Sequence, residues 1–211
     1  MNLPTFGDAV PRRGNLFTRM IGKSILHPMG WFGWRLEGDL HNLPKCMIIA
    51  APHTTNWDFV LAMAVLFATG LRVSWMGKKS IFKWPFARIF RWMGGIPIDR
   101  TVRHGVVEQT VETFKSRDQL IIGIAPEGTR TKKERWKTGF YHMAFGAGIP
   151  IVLAYLNYGQ KRLGFGPKII PCGDFATDMA QINAFYADKI GKNPDQFALH
   201  QIAPPGQSVT N

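Results

Sequence analysis

The sequence predicts an α/β domain with a mostly parallel central sheet flanked by helices, preceded by a short amphipathic helical element at the N-terminus. Short aliphatic runs alternate with longer segments of helical periodicity over most of the 211 residues, and this alternation is typical of βα units. Two aliphatic runs end at a Pro that is followed by polar residues, in the stretches 48–58 and 121–130. Because sites in parallel sheets form beyond the C-terminal ends of strands, these two stretches form the candidate site.

The composition is that of one folded domain with a basic surface. Hydrophobic residues make up 45% of the chain and charged residues 19%, which excludes a disordered protein. Cys46 and Cys172 lie far apart in sequence, so a disulfide framework is not expected and a reducing compartment is the default. A formal net charge of +12, with seven Trp and fifteen Phe, favours phosphate-bearing partners such as phospholipid headgroups, a phosphorylated cofactor or nucleic acid.

No membrane-spanning segment is predicted. The uncharged, strongly apolar stretch at residues 59–71 has 13 residues, whereas a spanning helix needs about 20. Charged residues interrupt the N-terminus, so a signal peptide is not expected either. We therefore expect a protein that is soluble or lies on a membrane surface.

The first 30 residues are predicted to form an arm and an amphipathic helix. Residues 1–14 contain two Pro and two Gly, which favours a poorly ordered arm. Apolar residues then recur at helical spacing from Leu16 to Ile25, and Pro28 is expected to end the helix. Two interpretations stay open: packing on the core, or a position on a membrane surface with Trp31, Phe32 and Trp34 at the headgroup level.

The remaining elements follow from hydrophobic spacing, and they place the main domain at residues 31–203 with a frayed tail at 204–211. Short aliphatic or β-branched runs predict strands at 32–37, 46–51, 71–76, 95–98, 120–124 and 150–158. Apolar residues three and four apart predict helices at 58–68, in the second half of 81–93, and at 104–117, 138–147 and 174–190. A hairpin is predicted over 161–171, around the glycines at 164 and 166.

His53 and Asp58 are a candidate general base and its orienting acid. On a regular helix, residues five apart point about 140° away from each other. A turn that presents His53, followed by a helix that starts near Asp58, would let the carboxylate fold back onto the imidazole. An unrelated loop His with an Asp that favours the helix dipole fits the pattern as well. G-x-S-x-G and H-E-x-x-H are both absent, so neither an acyl-enzyme nor a metal site is predicted and the base would activate a substrate hydroxyl directly.

Basic residues cluster in two stretches downstream of His53. In residues 127–130, a Gly beside a Thr hydroxyl and the fork of Arg130 suits an anion, because Arg grips phosphate in a bidentate way. Between residues 72 and 103 there are eight Lys and Arg and one acid, and Arg100 follows a predicted strand. For part of this second stretch a solvated basic helix face is the preferred interpretation: Lys83, Arg88 and Arg91.

The stretch from His53 to Asp58, His-Thr-Thr-Asn-Trp-Asp, resembles the H-x4-D motif of the glycerolipid acyltransferase superfamily, to which the 1-acylglycerol-3-phosphate acyltransferases belong. Three more blocks follow in the family's order: Lys78-Lys79 with Gly-Ile-Pro-Ile-Asp-Arg at 95–100, Pro-Glu-Gly-Thr-Arg at 126–130, and Gly-Ile-Pro-Ile at 148–151. Two features depart from the family pattern. Ala125 stands where many relatives carry an aromatic residue, and the chain after Tyr155 has no match.

This resemblance implies transfer of a fatty acyl group from acyl-CoA or acyl carrier protein to a lipid hydroxyl. His53 would deprotonate the acceptor hydroxyl and Asp58 would hold His53. The resemblance also implies a set of residues that hold the acceptor's phosphate: Lys79, Arg100, Glu127, Gly128, Thr129 and Arg130. Lysophosphatidate is the leading acceptor, and another lysophospholipid or a hydroxylated lipid with a different headgroup stays open.

The resemblance further implies no cofactor beyond the thioester co-substrate, and membrane lipids as partners. We expect a peripheral position on the cytoplasmic face of the membrane and no nucleic-acid partner, and the sequence leaves the oligomeric state open. The competing hypothesis is a non-catalytic module that binds anionic membranes or nucleic acid through its basic and aromatic surface. His53 and Asp58 discriminate between the two, because a binding module needs neither.

Overall fold

The computed structural model describes residues 1, 3–4, 6–12, 14–98, 104–130 and 132–201. Within them the chain forms the following α-helices: α1 (Leu16–Trp31), α2 (Asn56–Thr69), α3 (Ala87–Trp92), α4 (His104–Lys115), α5 (Gly139–Ala147) and α6 (Phe175–Tyr186). The strands are β1 (Arg35–Glu37), β2 (Lys45–Ala51), β3 (Ser74–Lys78), β4 (Gly95–Ile98), β5 (Leu120–Ile124), β6 (Ile151–Asn157) and β7 (Arg162–Ile169). The predicted tail at 204–211 lies outside the described residues.

The strands form one seven-stranded sheet in the order β1-β7-β6-β2-β5-β3-β4. Five neighbouring strands, from β6 to β4, run parallel, whereas β7 is antiparallel to β6 and pairs in parallel with β1. The predicted α/β class with a mostly parallel sheet is therefore confirmed. β2 lies at the centre and is buried along most of its length, as expected for a parallel strand covered on both faces.

Helices cover both faces of the sheet, and alternate residues of β2 point into two separate hydrophobic cores. Cys46 and Ile48 belong to the core under α1 and α2. Met47 and Ile49 belong to the core under α4, α5 and α6. α3 lies on the first of these faces, because the Trp92 ring packs 5.8 Å from the Phe67 ring of α2.

The N-terminal 30 residues differ from the prediction in two ways. The arm packs on the first core through Phe6 and Val10 instead of remaining loose. α1 also continues through Pro28 to Trp31. A proline inside a helix forfeits one backbone hydrogen bond, but Leu26, two residues before it, is fully buried against the first core. This tertiary packing holds the last turn, and the local rule that proline ends a helix fails here.

The predicted hairpin at 161–171 is wrong, because β7 is one continuous strand across Gly164 and Gly166. The two glycines allow close packing against neighbouring residues and do not form a turn. A Cβ at Gly164, whose φ is +155°, would collide with the backbone of Glu37 in β1, and a Cβ at Gly166 would collide with the Phe185 ring. The reversal into β7 lies earlier, where Lys161 adopts a positive φ of 53°.

None of the helices in the described part of the chain combines the length and hydrophobicity needed to cross a bilayer.

Candidate active site

The two stretches that carry the candidate site meet at one edge of the sheet. β2 and β5 are adjacent and parallel, with Ile49 paired to Ile124. The loops that follow them therefore leave the sheet side by side. The backbone N–H of His53, in the first loop, donates to Oε1 of Glu127, in the second, at 2.9 Å.

Asp58 lies in the first turn of α2 and is almost completely buried. Its Oδ2 accepts the backbone N–H groups of Thr54 at 2.8 Å and Thr55 at 2.7 Å, the usual role of an acidic residue at the third helical position. Its Oδ1 accepts the Thr55 hydroxyl at 3.1 Å and the Tyr158 hydroxyl at 2.7 Å. Donors on both oxygens thus fix the carboxylate in one orientation.

His53 lies beside this carboxylate, as the predicted turn requires. Its Nδ1 is 3.9 Å from Oδ2 of Asp58, which is longer than a hydrogen bond. The side chain retains 20% exposure. Burial lowers the pKa of His53 below its ordinary value of 6.5, the Asp58 charge opposes this, and the Arg130 charge lowers it further. The imidazole is therefore neutral near pH 7, and Nε2, the nitrogen that does not face Asp58, is the one free to accept a proton.

Glu127 is buried behind His53, with 4% exposure. Burial raises its pKa to about 7, and the Asp58 charge also raises it, whereas the hydrogen bond from the His53 backbone lowers it. Its other oxygen, Oε2, has no hydrogen-bond partner among the described residues. The carboxyl group thus supports the backbone of His53 from inside the protein.

Gly128 and Thr129 form the turn that follows. Gly128 adopts a φ of +66°, which favours glycine, and its N–H donates to the Ala125 carbonyl at 3.1 Å. A Cβ here would also press on the Lys137 side chain at 3.0 Å. Thr129 is half-buried. The turn thereby carries the chain from the buried Glu127 to the surface.

The predicted cations of the site do not all lie beside His53. Arg130 is exposed, and its charge reaches the imidazole of His53. Lys79 begins a short 3-10 turn after β3, at the same edge of the sheet and two strands away from β2. Arg100 lies outside the described residues. The structure therefore brings His53, Asp58, Glu127 and Arg130 together and leaves Lys79 further along the edge.

Tyr158 is part of the site and was missed from the sequence, where it reads only as the end of a strand. It follows β6, donates to Asp58, and packs its ring edge-on against Trp34, with centroids 5.1 Å apart. Burial and the Asp58 carboxylate raise the pKa of Tyr158 above its ordinary value. The hydroxyl therefore keeps its proton and remains a hydrogen-bond donor.

The C-terminal segment (residues 190–201) was missed as well, and it braces both loops. The Asn193 N–H donates to the buried Thr54 hydroxyl at 3.2 Å. In the orientation that satisfies its neighbours, the Gln196 amide nitrogen donates to the carbonyls of Arg130 and Thr54 at 2.8 and 3.0 Å. Further along, the backbone N–H of Trp136 donates to Nδ1 of His200 at 2.9 Å.

Comparison with known proteins agrees with this architecture. The 1-acyl-sn-glycerol-3-phosphate acyltransferase of Escherichia coli (strain K12) is 33% identical over 169 residues, which cover 75% of this chain and 65% of that protein. The protein of the same name from Haemophilus influenzae is 31% identical over 155 residues, covering 67% of this chain and 60% of the relative. The chain thus spans less than two thirds of the length of these curated relatives.

A solved structure shares the fold. The 1-acyl-sn-glycerophosphate (LPA) acyltransferase PlsC from Thermotoga maritima aligns over 82% of this chain and 76% of its own, with a TM-score of 0.52 and 17% identity. A family model described as Acyltransferase matches residues 36–156, which run from the second residue of β1 to the last but one of β6 and include every described residue of the candidate site except Tyr158 and the C-terminal segment. Because this match covers more than half of the chain, the chain belongs to the acyltransferase family.

Proposed function

We propose that this protein is an O-acyltransferase that moves a fatty acyl group from a thioester to the hydroxyl of 1-acylglycerol-3-phosphate, with His53 as the general base. The observation that carries the proposal is a neutral, mostly buried imidazole beside a fixed carboxylate in a member of the acyltransferase family. The acceptor follows the names of the relatives from Escherichia coli and Haemophilus influenzae.

In the proposed reaction, Nε2 of His53 takes the proton of the acceptor hydroxyl as its oxygen attacks the thioester carbonyl carbon. The tetrahedral intermediate then expels the carrier thiolate, which receives the proton from the imidazolium. One ester C–O bond forms, one C–S bond breaks, and His53 returns to its neutral form. No nucleophile from the protein takes part.

Asp58 and Glu127 act on His53 from two sides in this proposal. The Asp58 carboxylate stabilises the imidazolium, and closing the present 3.9 Å gap to a hydrogen bond needs a movement of about 1 Å, as catalytic contacts tighten on substrate binding. Glu127 holds the backbone of His53. Its burial and its contact support a positioning role over direct contact with the acceptor's phosphate.

Arg130 is the cation best placed to receive the phosphate of the acceptor. It is exposed and its charge reaches His53, so a phosphate on this side would bring the neighbouring hydroxyl towards the base. We propose that Gly128, Thr129, Lys79 and Arg100 assist, as the resemblance implies. A different lysophospholipid is the alternative acceptor.

The donor in this proposal is acyl-CoA or acyl carrier protein. A largely apolar cleft of about 500 Å³ lies between the edge of the sheet and α4, lined by side chains that include Met76, Ile96, Val106 and Ile122. Such a lining suits a fatty chain. The basic balance of the chain, +12, favours either donor, since both are anionic.

We also propose that the enzyme works as a peripheral protein at the cytoplasmic face of the membrane. α1 packs on the core through Thr18, Gly22 and Leu26. On its other side it exposes Leu16 and Phe17 by 75% and 69%. An amphipathic helix of this kind lies in the plane of a bilayer surface.

Thiol release from acyl-CoA and from acyl carrier protein, measured with a panel of lysolipids, tests the reaction. We expect 1-acylglycerol-3-phosphate to stimulate release most, and His53→Ala to abolish that stimulation. His142→Ala, which changes an exposed histidine on α5, is the matched control and should keep full activity. If no acceptor raises release above the level of His53→Ala, the proposed reaction is wrong.

Arg130 has its own test. Arg130→Gln should raise KM for the phosphorylated acceptor about tenfold or more, because a charge-assisted contact contributes roughly 1.5–3 kcal/mol, and KM for the donor should stay unchanged. Arg130→Lys keeps the charge and should recover part of the loss. Equal changes in the two KM values would assign Arg130 a structural role.

A further inference from the structure

The exposed hydrophobic side chains lie almost entirely on one side of the molecule. Among the described residues, eleven of the fourteen large hydrophobic side chains that are exposed belong to α1, α2, α3 and the chain next to them. The other three are Phe145, Ile170 and Ile190. Single exposed apolar residues are ordinary, but such a concentration marks an interaction surface.

One group of these residues lies far along the chain from α1, in what we call the aromatic-basic segment (residues 79–92). Trp84 is 92% exposed, and four neighbours are exposed by 43–57%: Ile81, Phe86, Ile89 and Trp92. Five hydrophobic side chains thus face solvent within fourteen residues of sequence. A protein surface that stays in water has little reason to carry them.

The inner side of the same segment is anchored firmly. Phe82 stacks on Trp75 with centroids 5.5 Å apart, and Phe90 meets the same ring edge-on at 6.0 Å. Gly95 permits this approach, since a Cβ there would lie 2.7 Å from both Phe82 and Trp75. The outward hydrophobic side chains are therefore presented by a packed element and not by a loose loop.

The charge of the aromatic-basic segment indicates what binds to this surface. The segment contains four cations, Lys79, Lys83, Arg88 and Arg91, and no acidic residue. Lys83, Arg88 and Arg91 are all exposed beside the aromatic side chains. Tryptophan favours the headgroup layer of a bilayer, and exposed Lys and Arg are attracted to anionic lipid, so the combination matches an anionic bilayer surface.

The position of the segment relates this surface to the candidate site. β3 runs parallel to β4 and β5 and ends at Lys78, so the segment begins at the edge of the sheet from which the His53 loop leaves. α3 then lies on the same face of the sheet as α1 and α2. A bilayer that touches both α1 and the segment would therefore cover this face beside the site.

We propose that the aromatic-basic segment is a second bilayer contact, which seats the α1–α3 face of the molecule on an anionic lipid surface. The inference extends the proposed peripheral location but does not depend on catalysis. Trp84 and Phe86 insert at the headgroup level, and Lys83, Arg88 and Arg91 pair with anionic headgroups. The partner is the bilayer itself and not a protein.

Cosedimentation of the full chain with phosphatidylcholine vesicles that contain phosphatidylglycerol tests this inference. The variant Lys83→Gln/Arg88→Gln/Arg91→Gln should lose affinity by roughly 100-fold, the effect of three basic residues near an anionic surface. Trp84→Ser/Phe86→Ser should lose at least tenfold by removing inserted apolar area. Both changes affect exposed side chains, and circular dichroism and urea unfolding check that the fold is retained.

Matched controls carry equal changes elsewhere. Lys115→Gln/Arg117→Gln/Lys168→Gln removes three exposed charges, and Phe145→Ser/Ile170→Ser removes two exposed hydrophobic side chains. Both controls should bind nearly as well as the parent. Equal loss in the controls, or parental binding by the segment variants, would overturn the inference.

Self-association is measured alongside by light scattering. If the segment variants change the oligomeric state while vesicle binding stays at the parental level, the surface joins copies of this chain and the bilayer contact is wrong. His53→Ala should bind vesicles like the parent, since binding is measured without an acyl donor. A failed acyl-transfer assay with intact, segment-dependent binding would thus count against the proposed reaction alone.

Discussion

Asp58 is the most constrained side chain of the site, because two backbone and two side-chain donors hold its carboxylate. Three of these donors come from the two residues that lead into α2. The fourth, Tyr158, reaches it from 100 positions further along the chain. The bond from Tyr158 therefore ties the start of α2 to the end of β6 and sets the carboxylate for His53.

Tyr158→Phe should lower kcat roughly tenfold with little change in KM, because a hydrogen bond to a charged group contributes about 1.5–3 kcal/mol. Tyr155→Phe is the matched control, since its hydroxyl donates to Glu37 at 3.2 Å and should leave kcat unchanged. The acidic limb of the kcat/KM profile gives a second readout, because a shifted carboxylate alters the pKa of His53. Equal kcat values for the two variants would remove Tyr158 from the positioning of Asp58.

Glu127 makes stability depend on pH. With a pKa raised by burial from 4.5 to about 7, the folded protein keeps a proton that the unfolded chain releases, so this group opposes folding increasingly as the pH rises from 4.5 to 7. Glu127→Gln keeps an acceptor for the His53 N–H without this penalty. The variant should gain up to about 3 kcal/mol relative to the parent between pH 5 and pH 8.

Urea unfolding at the two pH values measures this gain. Glu108→Gln, at an exposed position on α4, should follow the parent at both. A difference between Glu127→Gln and the parent that does not vary with pH would contradict the buried, proton-retaining carboxyl. The lowered pKa of His53 has the opposite effect on stability, since it reduces the free energy of unfolding as the pH falls below 6.5. His53 is present in both the parent and Glu127→Gln, so its effect cancels when the two are compared.

At the scale of elements, the crossing of α1 and α2 depends on Gly22. A Cβ at this position would collide with backbone atoms of Ala64 and Ala68 in α2. Such close approach of two helix backbones is possible only with glycine at the contact. It also lets α1 bury one side while its exposed apolar side remains available.

Gly22→Ala should therefore destabilise the protein by about 1–3 kcal/mol, the usual effect of an overpacked contact, although alanine is the better helix former. Gly105→Ala is the matched control in α4, where a Cβ meets no atom within 4 Å, and it should stabilise by roughly 0.5–1 kcal/mol. Urea midpoints of the two variants decide this. If the urea midpoint of both variants rises, the gain in helix propensity outweighs the collision at the crossing of α1 and α2.

At the scale of the whole molecule, the sheet separates two unlike sides. The α4–α6 side closes a core around Phe114, Phe140 and Tyr186 and carries few exposed apolar side chains. The α1–α3 side carries most of them, at two places far apart in sequence. Two contacts on one face also define an orientation on a surface, which a single helix would not.

If α1 is one of these contacts, Leu16→Ser/Phe17→Ser should weaken vesicle binding at least tenfold, since both side chains are more than two-thirds exposed. The change avoids Leu26, whose loss would disturb the core. Combined with Trp84→Ser/Phe86→Ser, the two losses in free energy should add, because one pair lies in α1 and the other in the aromatic-basic segment. Cosedimentation measures this, and a combined loss no larger than either single loss would argue against two contacts.

Local patterns in the sequence are enough to predict the fold class and the location of the candidate site. Strand and helix periodicity is local, so Ile48 and Ile121 identify buried strands without any tertiary information. Parallel strands then send their following loops to one edge, which predicts the approach of His53 to Glu127. The turn that folds Asp58 back to His53 is also local, since only four residues separate the two.

Features that depend on contacts between distant parts of the chain are visible only in the folded protein. Pro28 reads as a helix end and Gly164 as a turn, but packing keeps the first in α1 and places the second against β1. No spacing pattern relates Tyr158 to Asp58 or Asn193 to Thr54, because each pair is joined by the course of the chain through space. Prediction from local sequence succeeds where residues close in sequence supply the contacts. It fails where the fold brings a residue from a distant part of the chain into contact.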